Sequence, residues 1–257
     1  MGLLADRFTK YFSLQFAHTE SLKERAFEIR HQVYCEELGW EPTNPTGKEM
    51  DPYDGHSLHC LLRHNPSDRF IGCIRLVNSI SVLGSHSVPS EFHLMDQEDP
   101  EYGGFNYPKG LYGEVSRLAI IADFRRRQGE RGSPFPQAEF EEYKPCEEER
   151  RSCSYMAFGL YLSGIVLSSF LKHQYFVATM EPKLHVHLRR AGLRFRQVSP
   201  LFDFNGQRAV YCADRIELIN GLNEDMRELL SVIQYQLKRD LVADAQHSFP
   251  DVVKTMS

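Results

Sequence analysis

The sequence predicts one α/β domain. Stretches in which apolar residues alternate at the period of a strand are interleaved with stretches of helical period along the chain. Residues 154–172 are apolar on all sides, as a helix buried across a sheet must be. No internal repeat or low-complexity tract interrupts the series. The expected order is β α ββ … β α β α β β α, with helices packed on a largely antiparallel or mixed sheet.

The elements follow in order. "KYFSLQFA" (10–17) alternates Phe12, Leu14 and Phe16 and reads as a strand. Ser21 with Glu24 three residues on reads as a capping box, and the helix behind it carries Leu22, Phe27, Val33, Tyr34 and Leu38 to a stop at Gly39. Residues 40–56 read as loop. Strands are expected at 57–64 and 69–78, with "NPSD" as the turn between them. Residues 79–111 are irregular, with a short helix at "SEFHLMD" at most. "GEVSRLAII" (113–121) is a strand. Residues 128–153, with three prolines and the run "CEEERR", read as a flexible insertion. The apolar helix 154–172 is at the lower edge of a membrane span, but its two glycines and four serines fit a buried helix better. A buried strand (175–181), a short helix ended by Gly192, and strands in "RFRQVS" and "RAVYCADRI" follow. Residues 222–242 form an amphipathic helix with Leu222, Met226, Leu229, Leu230, Ile233 and Leu237 on one face.

Composition narrows the function. The chain is 257 residues, 42% hydrophobic and 25% charged, with a net charge of −5, which excludes nucleic-acid binding by bulk electrostatics. "MGLLADRFTKYF" has no basic stretch followed by a long apolar one, so no signal peptide is expected. The six cysteines lack paired short spacing and read as reduced core thiols in a cytoplasmic protein. His56, His59 and Cys60, like His185 and His187, read as polar residues flanking elements rather than metal ligands; no metal is expected.

"GKEMDPYDGHSLHCLL" places Glu49, Asp51 and Asp54 just before a strand, where acids often only solvate a turn. Arg75 and Arg117, however, lie inside apolar strands, where an unpaired cation is costly. The acids and arginines therefore imply salt bridges. Glu114 is a fourth acid. It stands three positions before Arg117, so the two face one site only if the strand bulges between them. From these residues alone, a scaffold network and a functional site both stay open.

The pattern Arg30, Tyr34, Trp40, Glu49-x-Asp51-x-x-Asp54, Arg75 after Gly72, Phe92 and Glu114-x-x-Arg117 resembles the acyl-homoserine-lactone synthase family over about residues 8–215. The "VYCEELGWE" form, "RLAIIADFRRR" and the insertion are more similar to a sister group: bacterial acyltransferases of the PEP-CTERM/exosortase system, which resemble long-chain N-acyl amino acid synthases. Both groups fall in the GNAT acyltransferase superfamily. The resemblance implies a single GNAT-like domain over 1–257, and an enzyme that moves a medium or long fatty acyl group from acyl carrier protein to the amino group of an amino-acid-like acceptor. It also leaves open a lactone synthase using S-adenosylmethionine and a CoA-dependent acyltransferase.

In that setting no cofactor is held, and the donor is an acyl-phosphopantetheine thioester. Glu114, with Glu49 second, would take the amine proton. Backbone N–H groups at Leu118, Ala119 and Ile120 would face the oxyanion. Arg30 would hold the acceptor's carboxylate with Trp40 closing over it. Asp51–Arg75 and Asp54–Arg117 would be ordering salt bridges. The acyl tail would run between the sheet and helix 154–172. The superfamily's phosphate loop is degraded here to Arg126-Arg127-Gln128-Gly129-Glu130-Arg131, which suits a carrier protein docked on Arg125, Arg126, Arg127 and Arg131. No integral span is expected, and peripheral membrane association stays open.

Overall fold

The computed structural model describes residues 3–81, 84–94, 102, 107–125, 149, 152–153 and 155–244. Its chain opens with helix α1 (Leu3–Tyr11), which the alternation rule passes over, followed by β1 (Phe12–Phe16) and α2 (Glu20–Arg30). The α2 cap is Thr19 rather than Ser21: the Thr19 hydroxyl accepts from Leu22 N at 3.3 Å, and Ser21 lies inside the first turn. A π-helical turn, His31–Glu37, extends α2, and Gly39 follows with φ +64°.

The strands β2 (Ser57–His64) and β3 (Arg69–Asn78) meet the expected bounds. A two-residue hairpin, β4 (Ile80–Ser81) with β5 (Gly84–Ser85), and a 3-10 turn at Pro89–His93 fill part of the irregular region. Next come β6 (Tyr112–Ile120), α3 (Ala122–Arg125), α4 (Met156–Phe170), β7 (Tyr175–Met180) and α5 (Pro182–Arg190). The last elements are β8 (Arg196–Gln197), β9 (Phe202–Asp203), β10 (Gln207–Asp214), α6 (Arg215–Gly221) and α7 (Glu224–Asp244).

The main sheet runs β1-β2-β3-β6-β7-β10-β8, with β9 paired to β10. Every described ladder is antiparallel except β6–β7. One face carries α4, whose residues are buried all round except Ser169. Two glycines let α4 approach closely: a Cβ at Gly159 would lie 2.6 Å from the Phe8 ring, and one at Gly164 2.7 Å from Val115. At Gly164, α4 packs directly on Val115 of β6 and Phe176 of β7. No described helix is long and apolar enough to cross a membrane.

The open edge of β1 is covered by α7. Gln236 accepts from Leu14 N at 3.0 Å and Asp240 from Phe16 N at 3.1 Å, which satisfies edge N–H groups that would otherwise template pairing. The five described cysteines are free and buried.

Two irregularities position the site. Arg75 pairs with Ser116 and Cys73 with Ala119, so Ile74 alone faces both Arg117 and Leu118. This is a β-bulge, and Arg117 adopts φ +51° there, a strained conformation for a non-glycine residue. The β6–β7 ladder ends at Val115–Ala178, although β6 continues to Ile120 and β7 to Met180. The two central strands part, and the sheet opens between them.

Candidate active site

The acid loop is built from the turn upward. Asp51 caps the 3-10 helix Pro52–His56 by accepting from Tyr53 N at 2.9 Å, and Asp54 returns the bond by accepting from Asp51 N at 2.8 Å. The same carboxylates meet three arginines. Arg30 binds Glu49 through Nε and Asp54 through Nη1 at 2.6 Å and Nη2 at 3.0 Å. Arg75 Nη1 binds Asp51 at 2.5 Å and Asp54 at 2.8 Å. Arg117 Nη2 reaches Glu49 at 3.0 Å, Asp51 at 3.2 Å and Glu41 at 3.4 Å. The expected Asp51–Arg75 bridge is present. The expected Asp54–Arg117 bridge is not: Asp54 is taken by Arg30 and Arg75, and the bulge turns Arg117 toward Glu49 and Asp51.

Arg30, Arg75 and Arg117 balance Glu49, Asp51 and Asp54, with Glu41 a fourth carboxylate at the edge of the cluster on Arg117. Burial opposes ionisation of these acids, yet the hydrogen bonds and charges of the arginines outweigh it and hold all three below the ordinary carboxylate range. Two expectations change as a result. Arg30 is wholly buried, spent on Glu49 and Asp54, and off the cavity wall, so it has no reach to an acceptor's carboxylate. Glu49, gripped by Arg30 and Arg117, is too weak a base to take an amine's proton.

A cavity of about 360 Å³ opens where β6 and β7 part. Its polar wall is formed by Glu114, Ser116 and Arg117 of β6, Arg75 of β3, Thr179 of β7, and Asp51. The apolar wall comes from Val115, Leu118, Met180, Leu184, Tyr161 and Phe204. Tyr34, Trp40 and Phe92 complete the rim, with Tyr34 stacked on Trp40 at 5.9 Å between ring centroids. The Tyr34 hydroxyl donates to Leu118 O at 2.7 Å, tying α2's extension to the bulged strand.

Glu114 differs from the loop acids. It is 1% exposed, makes no ion pair among the described residues, and accepts from Ser90 N at 2.6 Å and Thr179 Oγ1 at 3.2 Å. Burial pushes its carboxyl up to about 7, against the opposing pull of those bonds and of the Arg75 charge. Arg75 is itself 1% exposed, and its Nη2 has no hydrogen-bond partner among the described residues.

Of the residues anticipated from sequence, Tyr34, Trp40, Asp51, Arg75, Phe92, Glu114, Arg117 and Leu118 line the cavity. Arg30, Glu49 and Asp54 lie behind its wall, and Ala119 and Ile120, paired with Cys73 and Gly72, are not among the wall residues. Arg125 is buried and bound to Glu37 at 2.6 Å, so it is no part of a docking surface. Arg126, Arg127, Arg131 and the degraded phosphate loop lie outside the described residues. Glu41, Tyr53, Thr179, Tyr161 and Arg208 were not anticipated as wall residues. Thr179 was legible as the polar position in an otherwise apolar strand; the others carry no local signal.

Residues 29–132 match the model of a family described as an acetyltransferase (GNAT) domain, a little under half of the chain. Among solved structures, the chain is similar to the AHL synthase LasI, at 18% identity and a TM-score of 0.52 over 83% of this chain and 97% of that one. It is similar to MesI, a CoA-dependent acyl-homoserine lactone synthase, at 15% identity and a TM-score of 0.53 over 86% and 95%. It is also similar to FeeM, an N-acyl amino acid synthase from uncultured soil microbes, at 13% identity and a TM-score of 0.51 over 82% and 94%. The mixed sheet, flanking helices and C-terminal helix are the GNAT-like acyltransferase fold, and the domain match gives acyl transfer as the enzyme class.

Proposed function

We propose that the protein transfers a fatty acyl group from the phosphopantetheine thioester of acyl carrier protein to the amino group of an amino acid. One juxtaposition carries the reading: a buried carboxyl with a pKa near neutrality, Glu114, in the same cavity wall as a buried arginine, Arg75, that keeps an unpartnered N–H.

The acceptor's α-carboxylate sits on Arg75, which stands in the cavity wall where Arg30 does not. Its ammonium group gives a proton to Glu114. The free amine attacks the thioester carbon; a C–N bond forms as the carbonyl π pair moves to oxygen. Collapse of the tetrahedral intermediate breaks the C–S bond; the thiolate leaves as thiol with the proton returned from Glu114, and the nitrogen, cationic after attack, releases its second proton to solvent as the amide forms. Backbone N–H groups on the bulged strand near Leu118 stabilise the oxyanion. The acyl chain lies against Val115, Leu118, Met180 and Leu184. The likeness to FeeM, an N-acyl amino acid synthase, supports an amino-acid acceptor, and a cytoplasmic bacterial setting with a link to the PEP-CTERM/exosortase system belongs to this reading.

The test supplies purified protein with acyl carrier protein loaded with a medium or long acyl chain and a mixture of amino acids, and reads products by mass spectrometry. N-acyl amino acid is expected. An acyl lactone formed only with S-adenosylmethionine, or turnover with acyl-CoA alone, overturns the reading.

A further inference from the structure

Glu114 receives its backbone hydrogen bond from a turn that is itself clamped. Val88 caps the 3-10 turn Pro89–His93, and Pro89, its first residue, has no N–H to offer. Ser90 N is therefore the first donor of the turn. Such a donor finds no acceptor inside the turn, and it meets Glu114 Oε2 at 2.6 Å. The next side chain, Glu91, does not line the cavity. Its Oε1 accepts from Val88 N at 3.2 Å, from the Tyr112 hydroxyl at 2.6 Å and from Lys109 Nζ, which also donates to His86 O at 2.9 Å. Tyr112 and Glu114 stand two positions apart on β6, so their side chains leave the same face of the strand. Both are almost wholly buried. The turn is thus pinned to β6 at two neighbouring points: Glu91 on Tyr112, and the Ser90 N–H on Glu114.

We infer that Glu91 is a positioning residue: by holding the turn to Tyr112 and Lys109, its carboxylate keeps the Ser90 N–H on Glu114 and so favours the proton-accepting form of that base. This rests on the role given to Glu114 above. Two ways in which Glu91 could act differ in sign. As a charge it repels the ionised Glu114, and its loss would ease deprotonation. As a clamp it delivers a donor that favours the ionised form, and its loss would impede deprotonation. The geometry points to the clamp: the Glu91 charge is spent on Lys109 and two further donors, whereas the Ser90 bond lands on the Glu114 oxygen itself. The other groups facing Glu114 come from different elements. Thr179 of β7 donates to its Oε1 at 3.2 Å, and Arg75 of β3 attracts its negative charge. Asp51 and Tyr53 of the acid loop, Arg117 of β6 and His93 of the turn share its cavity wall.

The test follows protonation of Glu114 by NMR, in protein isotope-labelled at the glutamate carboxyl carbons, with the Glu114 resonance identified by its loss in Glu114→Gln. The pH profile of turnover is read beside it. In Glu91→Ala both midpoints should rise by about one pH unit, the size expected for losing a hydrogen bond to the charged form. Glu91→Gln keeps an acceptor for Tyr112 and Val88 without the charge, and its midpoints should return to the wild-type position or below it. Tyr112→Phe leaves Glu91 in place but removes its hold on β6, and should move the midpoints up as Glu91→Ala does. Midpoints that fall in both Glu91 variants would show action through charge and overturn the inference. So would a lower kcat with unmoved midpoints, the result of a merely structural role. If the NMR midpoints move as expected in a protein that forms no N-acyl amino acid, the acyl-transfer reading fails and the clamp stands.

Discussion

Glu49, Asp51 and Asp54 on the loop before β2 and Glu114 on β6 lie within one site, and the structure sets them to opposite chemistry. The loop acids are buried against arginines that outnumber no one: three cations meet three anions, every one of the acids ionised. Glu114 is buried more deeply than Asp51 and, among the described residues, is bonded to a backbone N–H and a hydroxyl rather than a cation, so its carboxyl rises to about 7. Both are at least half-buried. What differs is whether a cation touches the oxygen, and that difference separates carboxylates that hold a loop from one that can exchange a proton.

The sharpest way to break this comparison is Glu114→Gln. Turnover should fall by about two to four orders of magnitude, as for loss of a general base, with the fold intact because the amide still accepts from Ser90 N. Wild-type turnover at saturating substrates would remove Glu114 from the chemistry.

Arg75→Met strikes the other region. It leaves Asp51 short of its closest cation and Asp54 with Arg30 alone, a loss of about 3–5 kcal/mol for a broken buried pair. Denaturant melts measure it, and an unchanged midpoint would mean that the cluster contributes nothing to holding the loop.

The two regions should also respond to pH with opposite sign. Between the ordinary carboxyl value of 4.5 and about 7, the folded protein keeps a proton on Glu114 that the unfolded chain has released. The stability this group contributes is therefore full at the acid end of that window and lost as pH rises through it. The loop acids, held low, contribute stability above the ordinary carboxylate range and lose it as pH falls below. Wild type should gain on Glu114→Gln in melts as pH drops from 8 to 5, and its turnover should rise with pH through about 7. A wild-type-minus-variant difference that is flat with pH would contradict the assignment.

The smallest expected effect is Tyr34→Phe. It removes one buried hydroxyl bond to Leu118 O, worth about 0.5–1.5 kcal/mol, and sharpens the question of whether the bulge needs that tie. A calorimetric midpoint within error of wild type would show that the bulge stands without it.

Much of this was legible in the chain. The bounds of β2 and β3 follow from alternation punctuated by "NPSD", and the buried character of α4 from an apolar run with no polar face. The need for a bulge followed from Glu114 and Arg117 standing three apart on a strand. Helix α1 was missed, although Leu4, Phe8 and Tyr11 have helical spacing, because nine residues give too short a period to stand out. The Arg30 role and the Asp54–Arg117 pairing were misread, since both depend on which side chain reaches which carboxylate first.

The sequence by itself determined the types of the elements, the acids and arginines that had to meet, and the strand on which Glu114 stands. Those follow from local periodicity and from the cost of burying an unpaired charge, which acts wherever the charge is buried. The tertiary structure alone decided the partners within the cluster, the parting of β6 and β7 that makes the cavity, and the protonation of Glu114. Each depends on distances of a few ångströms between residues far apart in the chain: Arg75 lies 24 positions from Asp51, and Arg117 lies 68 from Glu49. Electrostatic interactions in a buried site change steeply over such distances.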